Sequence, residues 1–227
     1  MIEVVLISHD DAPERLVAAW AEAERLGLKL RRRSSCAATG EADGEARAAD
    51  LRAACADVEA ADLPFAAILR DDATLDESLL PFLAAAALAR AMAPKAALRL
   101  DGPWRDDGDD RPRIVPIARA VAGFEALIVS REAARVLAGA GEGAADPTDA
   151  VRRGAARGIE LAAALPPPVG TQDETEAPRP SLIGRLGEAV RGLRGPTSGR
   201  PFYLAVPSPS GPDASEDSPP AKPSISA

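Results

Sequence analysis

The run Ile2-Glu3-Val4-Val5-Leu6-Ile7-Ser8-His9-Asp10-Asp11 decides the fold. An apolar, largely β-branched stretch that stops at a polar cluster is a short buried strand running into a loop. Pro13 then suits the first turn of a helix. Leu16, Val17, Trp20, Ala23 and Leu26 recur at helical spacing until Gly27 ends the pattern. Strand, loop and helix within the first 27 residues is the opening of a layered α/β domain.

The same alternation continues outward. Residues 28–32 alternate apolar and basic, as a half-exposed strand does, and a Gly/Ser/Thr-rich stretch follows over 34–44. The pattern then predicts a helix over 46–61, a strand over 65–69, an alanine-rich helix over 77–93 and a strand over 96–100. A charged loop over 101–113 leads to a strand over 121–129. Helices over 131–137 and 148–157 and a last strand over 159–165 complete the domain. Strands separated by helices predict a mostly parallel central sheet, with the domain spanning 1–194. From Gly195 the remaining 33 residues hold eight prolines and seven serines. That composition cannot support a core, so 195–227 is expected to be a disordered Pro/Ser-rich tail.

Composition narrows the function. Fifty of 227 residues are alanine and aromatics make up only 3%, so the core must be built from small aliphatic side chains with narrow gaps between elements. The net charge of −8 argues against a general nucleic-acid binder. Two cysteines, Cys36 and Cys55, make neither a disulfide scaffold nor the usual four-ligand zinc site. No stretch approaches the roughly 20 apolar residues of a membrane span. Without a leader pattern at the N-terminus, the expected compartment is the cytosol. Leu182, Ile183, Leu186, Val190 and Leu193 line one face of a segment that also carries Arg185, Arg191 and Arg194. This leaves two readings, packing onto the domain or peripheral contact with the inner face of the cytoplasmic membrane.

Three separated segments carry a resemblance. The first is Val4-Val5-Leu6-Ile7-Ser8 with Arg15 in the following helix and Ala38-Thr39-Gly40 beyond the second strand. The second is Leu63-Pro64-Phe65-Ala66-Ala67-Ile68-Leu69-Arg70-Asp71-Asp72-Ala73-Thr74-Leu75. The third is Gly123-Phe124-Glu125-Ala126-Leu127-Ile128-Val129-Ser130-Arg131-Glu132-Ala133-Ala134, with Asp149 and Ser181-Leu182-Ile183 after it. In this order, over roughly residues 2–185, they resemble glycosyltransferase family 25, the bacterial lipopolysaccharide-type sugar transferases that include collagen galactosyltransferases. The resemblance implies a GT-A-like, Rossmann-related nucleotide-sugar transferase domain. Its activity would be transfer of a hexose, such as galactose, from a UDP-sugar donor to a glycan or lipid-linked acceptor for the cell surface. It implies Mn²⁺ or Mg²⁺ on the donor diphosphate, held by Asp71 and Asp72. Ser8, His9, Arg15 and Thr39 would belong to the nucleotide pocket, and Asp149 would face the acceptor.

The departures from that pattern are informative. Where the family has Glu-Asp-Asp at the end of its central strand, this chain has Arg70-Asp71-Asp72. Residues i and i+2 of a strand share a face, so Arg70 and Asp72 form a salt-bridge-capable pair with Asp71 opposite. A unit charge about 4 Å away is worth about 4 kcal/mol at an effective dielectric of 20, so a guanidinium here disfavours a dication. Arg70 is alternatively a diphosphate ligand itself, which makes metal-independent binding the second reading. Ala49-Asp50 stands where the family has Ser-His, and Thr39 precedes Gly40 where it has aspartate. These losses leave a catalytically inactive binding or scaffold protein as the alternative function. Each site residue also has a structural reading. Asp71 and Asp72 suit loop capping, His9 a turn, Arg15 a helix flank and Asp149 a helix start.

Overall fold

The computed structural model describes residues 2–10, 12–36, 44–75, 77–102, 111–118, 126–171 and 202–203. In chain order the elements are β1 (Glu3–Ser8), α1 (Pro13–Arg25), β2 (Leu30–Ser34), α2 (Gly44–Ala60), β3 (Phe65–Arg70) and β4 (Ala73–Leu75). A 3₁₀ helix (Glu77–Leu83), α3 (Ala85–Ala91), β5 (Ala96–Arg99), β6 (Arg113–Pro116) and β7 (Leu127–Ser130) follow. The remainder is α4 (Arg131–Ala140), α5 (Pro147–Ala156), β8 (Glu160–Leu165), β9 (Val169–Thr171) and β10 (Phe202–Tyr203).

The main sheet has eight strands in the order β10-β6-β8-β5-β7-β3-β1-β2, and β4 pairs with β9 in a separate ribbon. β1 pairs in parallel with β2 on one side and β3 on the other. The sheet is mixed where the sequence pattern predicts a mostly parallel one. β7 runs antiparallel to both β3 and β5, and β6 runs antiparallel to β8. The cause is where these strands begin. Leu100 N–H donates to Ala126 O at the start of β7, and Arg113 at the start of β6 pairs with Leu165 at the end of β8. Both strands therefore enter at the carboxyl ends of their neighbours and must descend.

Side-chain alternation along β1 and β3 divides the core. Val4, Leu6, Ala67 and Leu69 pack with Ala19 and Ala23 of α1, with Phe82 and with Leu88 of α3. Val5, Ile7, Ala66 and Ile68 pack with α2, α4 and α5 through Leu51, Ala54, Val58, Ala134, Leu137 and Val151. This is a three-layer α/β/α arrangement. Ala48, Leu51, Ala54, Cys55 and Val58 form the buried stripe of α2. Burial pushes the Cys55 thiol well above its ordinary value, because a thiolate loses its hydration there.

The helix expected over 77–93 is broken. Pro81 has no N–H to donate, so the chain makes a 3₁₀ segment and restarts at extended Ala84 before α3. The strand expected over 121–129 is seen as Leu127–Ser130, with 121–125 outside the described residues. Within the expected tail, Phe202 and Tyr203 pair antiparallel with Ile114 and Arg113, so this part of 195–227 belongs to the sheet edge. The rest of that segment, and the amphipathic stretch over 182–193, lie outside the described residues. No helix among the described residues is long and apolar enough to cross a membrane.

One glycine sets how closely the helices approach on the α2 face. A Cβ at Gly44 would lie 2.4 Å from Ala145 O and 3.1 Å from Asp146 Cβ, so the start of α2 lies directly against the chain entering α5. Gly44→Ala is expected to lower stability by about 1–3 kcal/mol, measured by urea unfolding, since a backbone carbonyl has to move.

Candidate functional site

Strand order reverses at β1. The chain leaves β1 to form β2 on one side, then crosses back to form β3 on the other. Helix α1 covers one face and α2 the other. At such a reversal the connections diverge, which leaves a crevice outside the carboxyl ends of the two central strands, where α/β sheets bind ligands. In this chain that end of the sheet carries Ser8, the last residue of β1, followed by His9, and Arg70, the last residue of β3, followed by Asp71 and Asp72.

The order of these residues follows from the sheet. Asp71 N–H donates to Ile7 O at 3.0 Å, extending the parallel ladder one step past β3. The Asp71 carboxylate then turns to β1. Its Oδ2 accepts the His9 backbone N–H at 2.8 Å, and its Oδ1 lies 3.3 Å from His9 Nδ1. Both residues are buried. Asp71 is thus a brace that closes the end of β1 onto β3. Asp72 points the other way, with Oδ1 3.4 Å from Nε of the nearly buried Arg70, so Arg70 and Asp72 share a face as strand geometry requires.

Ser8 is buried at the end of β1, where its Oγ accepts from Arg32 Nε at 2.8 Å. Arg32 also pairs with Asp10, which accepts from Ser34 Oγ at 3.1 Å. The basic run of β2 is used up residue by residue, since Arg31 pairs with Glu3 and Arg33 with Asp57. Arg15 lies half-buried in the first turn of α1 with no side-chain hydrogen bond among the described residues. Thr39 lies outside the described residues.

Asp149 is in the first turn of α5. Its Oδ2 accepts from Ala145 N–H at 3.2 Å, and its own N–H donates to the N-cap Asp146 at 2.7 Å. Arg152 and Arg153 lie 3.2 and 2.8 Å from its carboxylate oxygens. The Ala145 hydrogen bond first, with Arg153 and Arg152 adding to it, holds this carboxyl below its ordinary 3.8 against the opposing effect of desolvation. What Asp149 does locally is cap α5.

Two neighbours of the crevice were missed by sequence reasoning. Asp50, on the buried side of α2, accepts Cys36 N–H at 2.7 Å and the Ser35 hydroxyl, pinning the chain that leaves β2. Its signal was a carboxylate set into an apolar helical stripe beside Leu51 and Ala54. Arg47, one turn earlier, lines a small recess with Ile7, Asp50, Ile68, Arg70 and Pro147. Further along the carboxyl edge, Arg99 is wholly buried and its Nε donates to Asp101 Oδ1 at 3.1 Å. Buried Arg113 begins the next descending strand.

The donor set does not fit a divalent cation. Both oxygens of Asp71 face His9, and Asp72 is drawn to the guanidinium of Arg70. Among the described residues no three of His, Cys, Asp and Glu converge. Hard cations take several oxygen ligands, and a neighbouring guanidinium opposes them. No family model matches the chain, and no curated protein matches it.

Two measurements test these assignments. Asp71→Ala is expected to lose about 1.5–3 kcal/mol of stability by urea unfolding, the range for hydrogen bonds made to a buried carboxylate. A carboxylate free to serve a ligand would leave stability nearly unchanged. For Asp149 the depressed native value means the unfolded chain binds protons first as pH falls. Its contribution is complete above the ordinary 3.8 and vanishes below the lower native value. The stability difference between wild type and Asp149→Asn should therefore shrink between pH 5 and the acid limit and stay flat above.

Proposed function

We propose that this chain is a divergent glycosyltransferase-like domain that binds a nucleotide-sugar, a UDP-hexose such as UDP-galactose, for transfer to a glycan or lipid-linked acceptor of the cell surface. The observation that carries the reading is the strand-order reversal at β1, where Arg70 stands at the carboxyl end of β3 opposite Ile7 of β1. The resemblance to glycosyltransferase family 25 supplies the donor and acceptor classes. In the reaction an acceptor hydroxyl attacks the anomeric carbon, forming the new glycosidic bond as its proton passes to water. The bond from that carbon to the diphosphate breaks, and the nucleoside diphosphate leaves as its charge is stabilised. In this reading Arg70 meets that charge, with Asp72 beside its guanidinium.

A second reading has its own support. Asp71 is committed to His9, and Asp72 to Arg70, which leaves a binding or scaffold protein that no longer transfers sugar. Calorimetric titration of the full chain with UDP and UDP-galactose, followed by an assay for UDP release with glycan acceptors, separates the two. Binding with acceptor-dependent release is the expected result. Binding without release favours the scaffold. Absence of binding to UDP and to every nucleotide-sugar tried would sink both the donor class and the transfer reaction.

A further inference from the structure

We infer that the segment over 182–193 docks on the outer face of α1, with its apolar side chains on Val17 and Trp20 and its flanking arginines beside Glu14 and Glu24. Helix α1 buries Ala19 and Ala23 in the core. Its outer side carries Glu14, Val17, Trp20, Ala21 and Glu24, all exposed and spaced three and four apart, so they share one face. Val17 is 67% and Trp20 45% exposed, and among the described residues these are the large hydrophobics that stand exposed. A single apolar side chain on a surface is ordinary. A valine and a tryptophan one turn apart, in a chain with only two tryptophans, make an anchor suited to a second apolar surface. The docking is independent of which ligand the sheet end binds.

The path of the chain selects this occupant first. It leaves the described residues at Thr171 of β9, which pairs with Ala73 of β4. β4 packs against α1, and Arg25 at the end of α1 reaches Glu77, two residues past β4. The exit therefore lies one strand away from α1. Leu182 comes eleven residues after Thr171, a reach of up to about 36 Å, whereas the 13 residues of α1 span about 20 Å. A segment tethered so near meets this face at high effective concentration. Its pattern also fits. Leu182, Ile183, Leu186, Val190 and Leu193 recur at helical spacing, while Gly184, Gly187 and Gly192 make that helix poor without a surface to form on. Charge completes the match, since Arg185, Arg191 and Arg194 flank the apolar stripe as Glu14 and Glu24 flank Val17 and Trp20. The same carboxylates disfavour other occupants. Against the α1 of a second copy laid antiparallel, Glu14 would face Glu24, and an anionic lipid surface would repel both.

The test follows Trp20 fluorescence in the full chain carrying Trp104→Phe, which leaves Trp20 as its single tryptophan. Acrylamide should quench it weakly in this parent. Quenching should rise about threefold or more in Leu186→Asp/Val190→Asp, because the docked segment keeps solvent from the indole. Arg185→Glu/Arg191→Glu/Arg194→Glu should raise it as well, and adding Glu14→Arg/Glu24→Arg to that variant should restore the shielding. The charge reversal and its rescue decide the matter if the apolar variant does not fold. Quenching in the parent as strong as that of free N-acetyltryptophanamide, or unchanged in both folded variants, overturns the docking. Shielding that is lost on dilution, with a dimer in sedimentation, gives the face to a second copy and overturns it. Shielding that appears only with phosphatidylglycerol vesicles overturns it in favour of a membrane surface.

Discussion

The parallel pairing of β1 with strands on both sides is the constraint on which the rest of the structure depends. Parallel neighbours cannot be joined by a tight turn, so each connection must cross a face of the sheet through a helix. With β2 on one side and β3 on the other, α1 and α2 are sent to opposite faces. Three layers follow from that, and so does the crevice at the carboxyl ends of β1 and β3. Asp71 holds the crevice's two banks together, continuing the ladder with its N–H and capping β1 with its carboxylate.

The chemistry of the crevice comes from how three consecutive residues divide their duties. Strand geometry sends Asp71 one way and Arg70 and Asp72 the other. A triplet that would read as acidic by composition is therefore one structural brace and one ion pair. Arg70 puts a cation at this strand end, in contact with Asp72, in a protein whose overall charge is −8. Net charge governs solubility and long-range attraction, whereas a half-enclosed recess answers to the few groups that line it.

Alanine shapes the layers as strongly as charge shapes the site. Ala48 and Ala54 of α2 and Ala133 and Ala134 of α4 are all buried in the same core, and Gly44 lets α2 press on the chain entering α5. Small side chains give up buried area per residue and gain close backbone approach. That close approach brings Arg47 and Pro147 to the same recess as Arg70.

Much of the α/β pattern was legible in the sequence, because apolar runs bounded by Gly, Pro and charge reflect local preferences and face alternation. β1, α1, β3 and α4 fall where Val4–Ile7, Pro13–Gly27, Phe65–Leu69 and Arg131–Leu137 announce them. The i, i+2 relation of Arg70 and Asp72 was legible for the same reason. The direction of β6 and β7 was not, since both depend on the edge of the sheet at which the chain re-enters. The role of Asp71 was not legible either, because its partner His9 is 62 residues away and meets it only across a strand pair. Asp50 was noted only as a departure from the family's Ser-His and Arg47 was not singled out, because their neighbours are set by how α2 lies over the strand ends. The sequence by itself determined most of the strands and helices of the layered pattern and that a cation ends the strand at Arg70. Only the tertiary structure decided which charges neutralise one another and which residues share a recess, because that depends on distances between residues far apart in the chain.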